Sequence, residues 1–283
     1  MKTWELATDS FTFLDRLKVA AFVLNKNNQL TMGPKVQEFE RVMSEYTQCE
    51  ALAVSSGSTA NHLIFELWKQ QNPEKFKNAL VIVPAVSWVS NITPVLMAGY
   101  QIKFCDVNLD DFSFDYNKLD NILKENESKT LIIWATALIG HCPNFVKLRK
   151  LARRFEAELW TDACEAQMCN CNLDYYNQSI LSVSRFTSLS CYFSHCTTSI
   201  EMGFVFFRNR KDYEYGRMLR NHGMIRSLSP DNEFRKKIEE KYSFIDKTFL
   251  FAVMGTNWRN SDMHAVWGLL DMKRAVFIRP LHV

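Results

Sequence analysis

The sequence predicts an α/β fold built on a mostly parallel sheet, and three observations carry that expectation. Short apolar runs at residues 51–54, 80–83, 101–105, 131–135 and 157–161 alternate with helical stretches at 59–70, 88–97 and 144–155. Alternation of this kind marks βαβ units, in which a crossover helix makes successive strands parallel. The apolar fraction of 47% is ample for a large buried core. No internal repeat, low-complexity tract or flexible linker interrupts the 283 residues, so the organisation is read from the alternation itself.

Taken in order, residues 9–24 open with a capping residue and carry apolar side chains at helical spacing. Gly33-Pro34 starts a second helix, because proline is tolerated in a first turn and Val36, Phe39, Val42, Met43 and Tyr46 then share one face. In an open α/β sheet, ligands gather at the carboxyl ends of the strands. Three loops there are chemically unusual.

The first is Ser-Ser-Gly-Ser-Thr-Ala-Asn at 55–61, a strand end turning into a helix. Gly57 allows close backbone approach, while Ser58 and Thr59 bring hydroxyls and free amides to a helix N-terminus, which suits a phosphate monoester or simply a capped helix. It is neither a P-loop nor a dinucleotide fingerprint, since both glycine patterns are absent. The second is Pro-Ala-Val-Ser-Trp at 84–88, where the Trp88 ring either covers a planar ligand or packs in the core. The third is Asp-Ala-Cys-Glu-Ala at 162–166, with Asp162 just past a strand and Glu165 one helical turn on. A carboxylate there either caps a helix or meets a cationic partner such as a protonated pyridine nitrogen. A fourth segment, 188–203, reads as a Ser/Thr-rich turn before an apolar strand at 204–207, with His195 near its middle.

The net charge of +3 is small, and 34 Lys and Arg are interspersed with 31 Asp and Glu, so no basic face for nucleic acid is evident. No apolar run approaches the about 20 residues a membrane span needs, and the first residues lack a secretory core. A cytoplasmic protein is therefore expected, its eight cysteines read as reduced thiols. Cys169-Asn-Cys171 alone is a weak metal signal, and no metal is expected.

These motifs, in this order, resemble the DegT/StrS family of pyridoxal-phosphate-dependent nucleotide-sugar aminotransferases, of aspartate-aminotransferase fold. The likeness runs from about Gly33 to Met272 and includes Gly-Pro with Phe39-Glu40, Phe-Cys-Asp-Val at 104–107, Leu-Arg-Asn-His-Gly-Met at 219–224 and Gly-Thr-Asn-Trp-Arg-Asn-Ser-Asp-Met-His-Ala at 255–265. It implies a three-layer α/β/α large domain over 31–273, an N-terminal helical segment over 1–30 and a divergent tail at 274–283. It further implies that Gly57, Ser58 and Ser190 bind the phosphate of pyridoxal 5′-phosphate or pyridoxamine 5′-phosphate. Trp88 would stack on the ring, Asp162 pair with its nitrogen, and Glu165 contribute to the same site. Asn257 matches an asparagine that reaches the phosphate of a neighbouring subunit, which implies a homodimer.

One departure directs the functional reading. Most of the family has a lysine six residues before the glutamate of a Gly-Glu-Gly-Gly turn, and that lysine binds the cofactor covalently. Here His195 stands six residues before Glu201, and no lysine occurs between Lys150 and Lys211. The exchange is similar to that of the sugar 3-dehydratase branch. It implies a nucleotide-linked 4-keto-6-deoxyhexose as substrate, His195 as base, glutamate or another amino acid as amine donor, and a role in deoxysugar and polysaccharide or lipopolysaccharide biosynthesis. The alternatives are an aminotransferase of the same family or an inactive relative that binds only cofactor or a partner. Two further departures bear on activity: Met202 stands where the family has glycine, so a crowded turn is expected there, and Cys196 replaces a histidine. The small C-terminal domain of the family is expected to be largely missing, which would leave Trp258, Met263, Val266, Trp267 and Leu270 as an uncovered apolar face.

Overall fold

The inner strands of the central sheet alternate their side chains between two hydrophobic layers. Leu80, Ile82, Leu131, Ile133 and Ala135 enter one core, and Val81, Val83, Ile132 and Trp134 enter the other. A period of two with both sets apolar is what a sheet covered on both faces requires. The molecule is described here from a computed structural model over residues 9–173 and 176–278.

The chain runs α1 (Phe13–Leu24), α2 (Pro34–Thr47), β1 (Glu50–Val54), α3 (Gly57–Gln71), α4 (Pro73–Phe76), β2 (Ala79–Pro84), α5 (Thr93–Met97) and β3 (Gln101–Cys105). It continues with α6 (Tyr116–Glu125), β4 (Thr130–Thr136), α7 (Phe145–Arg154), β5 (Glu158–Asp162), β6 (Asn170–Leu173), β7 (Tyr176–Ser179), β8 (Phe186–Ser190) and β9 (Gly203–Phe207). The last elements are α8 (Arg210–Arg220), α9 (Glu233–Lys241) and α10 (Asp262–Ile278). Seven strands form one sheet in the order β1-β9-β8-β5-β4-β2-β3, and β6 and β7 form a separate hairpin. Within the seven, β9 alone runs against the others, since it pairs antiparallel with both neighbours. Side chains of α2, α6, α7 and α10 fill one face, and those of α3, α5 and α8 fill the other.

Four expectations are corrected. Residues 88–97 do not form one helix: a 3₁₀ turn at Val89–Asn91 precedes the short α5, which begins beside Pro94, because the proline ring disfavours helical backbone before it. The segment from 188 is not all turn, since its first three residues complete β8 and lie buried between β5 and β9. Met202 does not occupy a left-handed turn. Its carbonyl accepts from the Cys191 amide at 2.8 Å, which aligns it with β9, and the left-handed residue is Ile200 at φ 65°. Finally, the proposed apolar face is largely covered. Trp258 and Val266 are buried and the Trp267 ring lies 4.4 Å from that of Phe11, because α1 and the residues before it pack on α10.

Backbone crowding explains two glycines near the strand ends. A Cβ on Gly203 would lie 2.3 Å from the Ser56 carbonyl, and one on Gly57 would lie 2.7 Å from the Ser190 Cβ. The start of α3, the end of β8 and the start of β9 therefore meet more closely than side chains allow. Among the described residues no helix is long and apolar enough to cross a membrane.

Candidate active site

The carboxyl ends of β4, β5 and β8 and the N-terminus of α3 surround a cavity of ≈450 Å³. Gly57, Ser58, Trp88, Asp162, Glu165 and Ser190 all line it, and so does His195. These residues come from four separate stretches of sequence, brought together because the loops leave the same edge of a parallel sheet.

Ser56 is the N-cap of α3, and its hydroxyl accepts from the Thr59 amide at 3.2 Å in a capping box. The Thr59 amide is therefore not free, contrary to expectation. The amides of Gly57 and Ser58 have no acceptor among the described residues. Those two amides, the exposed Ser58 hydroxyl and the positive end of a 15-residue helix are the kind of donors from which anion sites are built. Ser190 closes the same corner, its hydroxyl accepting from the Tyr192 amide at 3.2 Å.

Trp88 is not a core residue: its side chain is 68% exposed and borders the cavity. Asp162 is the last residue of β5 and only 4% exposed. No α-helix follows it, so it is not a helix cap. Its Oδ1 accepts from the Cys164 amide at 2.9 Å, and its Oδ2 accepts from Asn61 at 2.8 Å and Asn91 at 2.7 Å. Glu165 is held at one oxygen by the Ile139 amide at 2.5 Å. That contact depends on left-handed backbone at Ile139 and Gly140, with φ of 55° and 79°.

His195 follows a tight turn in which its amide donates to the Tyr192 carbonyl at 2.9 Å, and the Tyr192 ring stands edge-on to the imidazole with centroids 5.7 Å apart. Burial pushes the imidazole below its ordinary pKa of 6.5, while the Glu165 and Asp162 carboxylates act in the opposite sense. The net direction is downward, so the ring is a neutral base near pH 7.

Asn257 is not in the cavity. It is exposed, and its side-chain oxygen accepts from the Arg259 amide and Nε at 3.2 and 3.0 Å. The Cys169 and Cys171 thiols diverge: one donates to the Gly140 carbonyl at 2.8 Å and the other lies 2.8 Å from the Cys142 sulfur. Sequence reasoning missed Asn61, Asn91 and Thr136. The signal for Asn61 was available, as a polar residue on the helical face that also carries Ile64, Phe65 and Trp68, all buried. Thr136 ends β4 beside Asp162 and borders the cavity, with its hydroxyl buried.

The sequence profile of the DegT/DnrJ/EryC1/StrS aminotransferase family matches residues 15–279. The GDP-4-keto-6-deoxy-D-mannose 3-dehydratase of Yersinia pseudotuberculosis is 29% identical over 252 residues, covering 88% of this chain and 61% of that protein. The chain thus spans about three fifths of that relative's length. The enzyme of the same name from Escherichia coli is 26% identical over 277 residues, covering 97% of this chain and 68% of its own. A solved structure described as the E. coli GDP-4-keto-6-deoxy-D-mannose 3-dehydratase with bound hydrated PLP superposes with a TM-score of 0.85 at 24% identity, over 98% of this chain and 69% of that one. The fold is shared with that structure.

Proposed function

Because this chain belongs to the DegT/DnrJ/EryC1/StrS aminotransferase family, we propose that it uses pyridoxal 5′-phosphate and pyridoxamine 5′-phosphate in nucleotide-sugar metabolism. We assign it the 3-dehydration of a nucleotide-linked 4-keto-6-deoxyhexose, with His195 as the base. The observation that carries this reading is a placement: the imidazole of His195 lines a cavity suited to a phosphorylated pyridine, and no lysine is among the residues that line it.

The residues fit such a ligand by their chemistry. Gly57 and Ser58 offer donors and a helix N-terminus to phosphate, and Ser190 adds a hydroxyl at the same corner. Trp88 offers an indole face to the ring. Asp162 offers a carboxylate to a protonated ring nitrogen.

When bound, the pyridoxamine form supplies an amine that joins a ketone and a ring that draws electrons from the carbon bearing that amine. The chain's own part is to orient and to move a proton. Asp162 would hold the nitrogen side of the ring and Trp88 would cover its face. Neutral His195 would take the proton from the carbon bearing the amine and deliver it to the hydroxyl leaving the adjacent sugar carbon. An imidazole cannot form the covalent link a lysine forms, so phosphate, ring and nitrogen contacts carry the binding. Glutamate as amine donor and a homodimer belong to the same reading, the latter on Asn257, which is exposed outside the cavity.

The test is borohydride reduction of the chain loaded with pyridoxal phosphate, followed by peptide mapping. We expect the cofactor to bind reversibly and to leave no reduced adduct on any lysine of the chain. Reduced cofactor attached there contradicts the reading.

A further inference from the structure

Asn61 and Asn91 are wholly buried, come from different elements, and spend their side-chain NH₂ groups on the same atom, Oδ2 of Asp162. We propose that this asparagine pair is a positioning device that saturates Oδ2 of Asp162 and keeps the proton the carboxylate shares with a bound pyridine on the ring nitrogen. The proposal rests on the reading above that the cavity binds pyridoxamine phosphate.

The argument is an inventory of lone pairs. An ionised carboxylate has about four acceptor sites, two on each oxygen. Both on Oδ2 are taken by the asparagines, and one on Oδ1 is taken by the Cys164 amide. The Cys164 thiol also lies beside this carboxylate, so Oδ2 is saturated by the asparagines and the remaining acceptor capacity lies on Oδ1, in a plane the two amides fix. The orientation of the Asn61 amide has an independent anchor, because its Nδ2 also donates to the Ser90 carbonyl at 3.0 Å, a group that can only accept. Every neighbour of Oδ2 is thus a donor, and a proton placed on that oxygen would find no acceptor.

A second observation favours a functional role over simple packing. The carbonyl oxygens of Asn61 and Asn91 are both buried without a hydrogen-bond partner in the structure. Apolar side chains of similar volume would fill the same space without buried amides to satisfy, so the asparagines are explained by the carboxylate their NH₂ groups contact. Asn91 also sits in the 3₁₀ turn that directly follows Trp88, so the same turn places the aromatic cover and one clamp on the carboxylate.

The experiment uses the full chain loaded with pyridoxamine phosphate carrying ¹⁵N in its ring, comparing the native protein with Asn61→Leu and Asn91→Leu. The ring ¹⁵N resonance separates a pyridinium from a hydrogen-bonded neutral pyridine, which a loss of stability alone does not alter. We expect the pyridinium position in the native chain. In each variant we expect displacement toward the neutral position and about tenfold weaker cofactor binding by equilibrium dialysis, the size of one charge-assisted hydrogen bond. If circular dichroism shows that a leucine variant does not fold, the smaller Asn91→Ser and Asn61→Ser take its place. A folded, loaded variant with an unchanged pyridinium resonance overturns the proposal. A native chain that binds no pyridoxamine phosphate overturns the parent reading, and this inference with it.

Discussion

At the scale of single residues, the pH response should follow His195. Burial lowers the imidazole below 6.5 and the two carboxylates oppose that only in part. A base works in its unprotonated form, so its contribution is complete above the folded-state pKa and lost as pH falls through it. We therefore expect kcat/KM to be independent of imidazole ionisation at pH 7 and above, with an acid limb whose midpoint lies under 6.5 and which is absent from the residual activity of His195→Gln. A pH–rate series with that midpoint above 7 would contradict the assignment. Much of the site was legible residue by residue: Gly57, Ser58, Trp88, Asp162, Glu165, Ser190 and His195 line one cavity. Asn91 and Thr136 were not, because a single polar residue after a tryptophan or at a strand end carries no local periodicity that points toward a carboxylate 71 or 26 positions away.

At the scale of elements, motifs that look chemical turn out to join pieces of scaffold. Gly33-Pro34 opens α2 without a side-chain cap of its own. The cap comes from Asp262 at the start of α10, whose fully buried carboxylate accepts from the amides of Gly33, Lys35 and Val36 at 2.6, 2.7 and 3.3 Å. Likewise Glu40 accepts from the Ala53 amide at 2.9 Å and pairs with Arg220, which donates to the Ala53 carbonyl at 2.7 Å. Two stretches separated by 180 residues thereby grip β1. Asp262→Ala leaves three amides unpaired at a helix N-terminus, two of them buried, and should cost about 2–4 kcal/mol. Urea unfolding checks this. A loss under about 0.5 kcal/mol would mean that water replaces the carboxylate without penalty. Such roles are hidden in one sequence, because a cap supplied from 229 residues away has no signature at the helix it serves.

At the scale of the whole molecule, the parallel sheet was legible because apolar runs of strand length recur with helices between them, and the runs at 80–83, 101–105 and 131–135 fall within β2, β3 and β4. β8 was not, since Thr187, Ser188 and Ser190 make it read as a polar turn, and only burial between β5 and β9 reveals a strand. That strand delivers Ser190 and the start of the His195 segment to the carboxyl edge of the sheet. Asn260 then ties the far side of the segment to β1, donating to the carbonyls of Val54 at 2.9 Å and Glu201 at 3.0 Å. The fold holds the His195 imidazole against the cavity, at the position where the sequence resemblance implies a lysine in most of the family, and the account stands on that proposed exchange. Its most direct test offers the chain pyridoxamine phosphate, glutamate and a panel of nucleotide-linked 4-keto-6-deoxyhexoses, and reads the sugar products by mass. We expect a ketosugar that has lost one hydroxyl, formed by the native chain and absent with His195→Asn; a 4-aminosugar from the native chain would contradict the account.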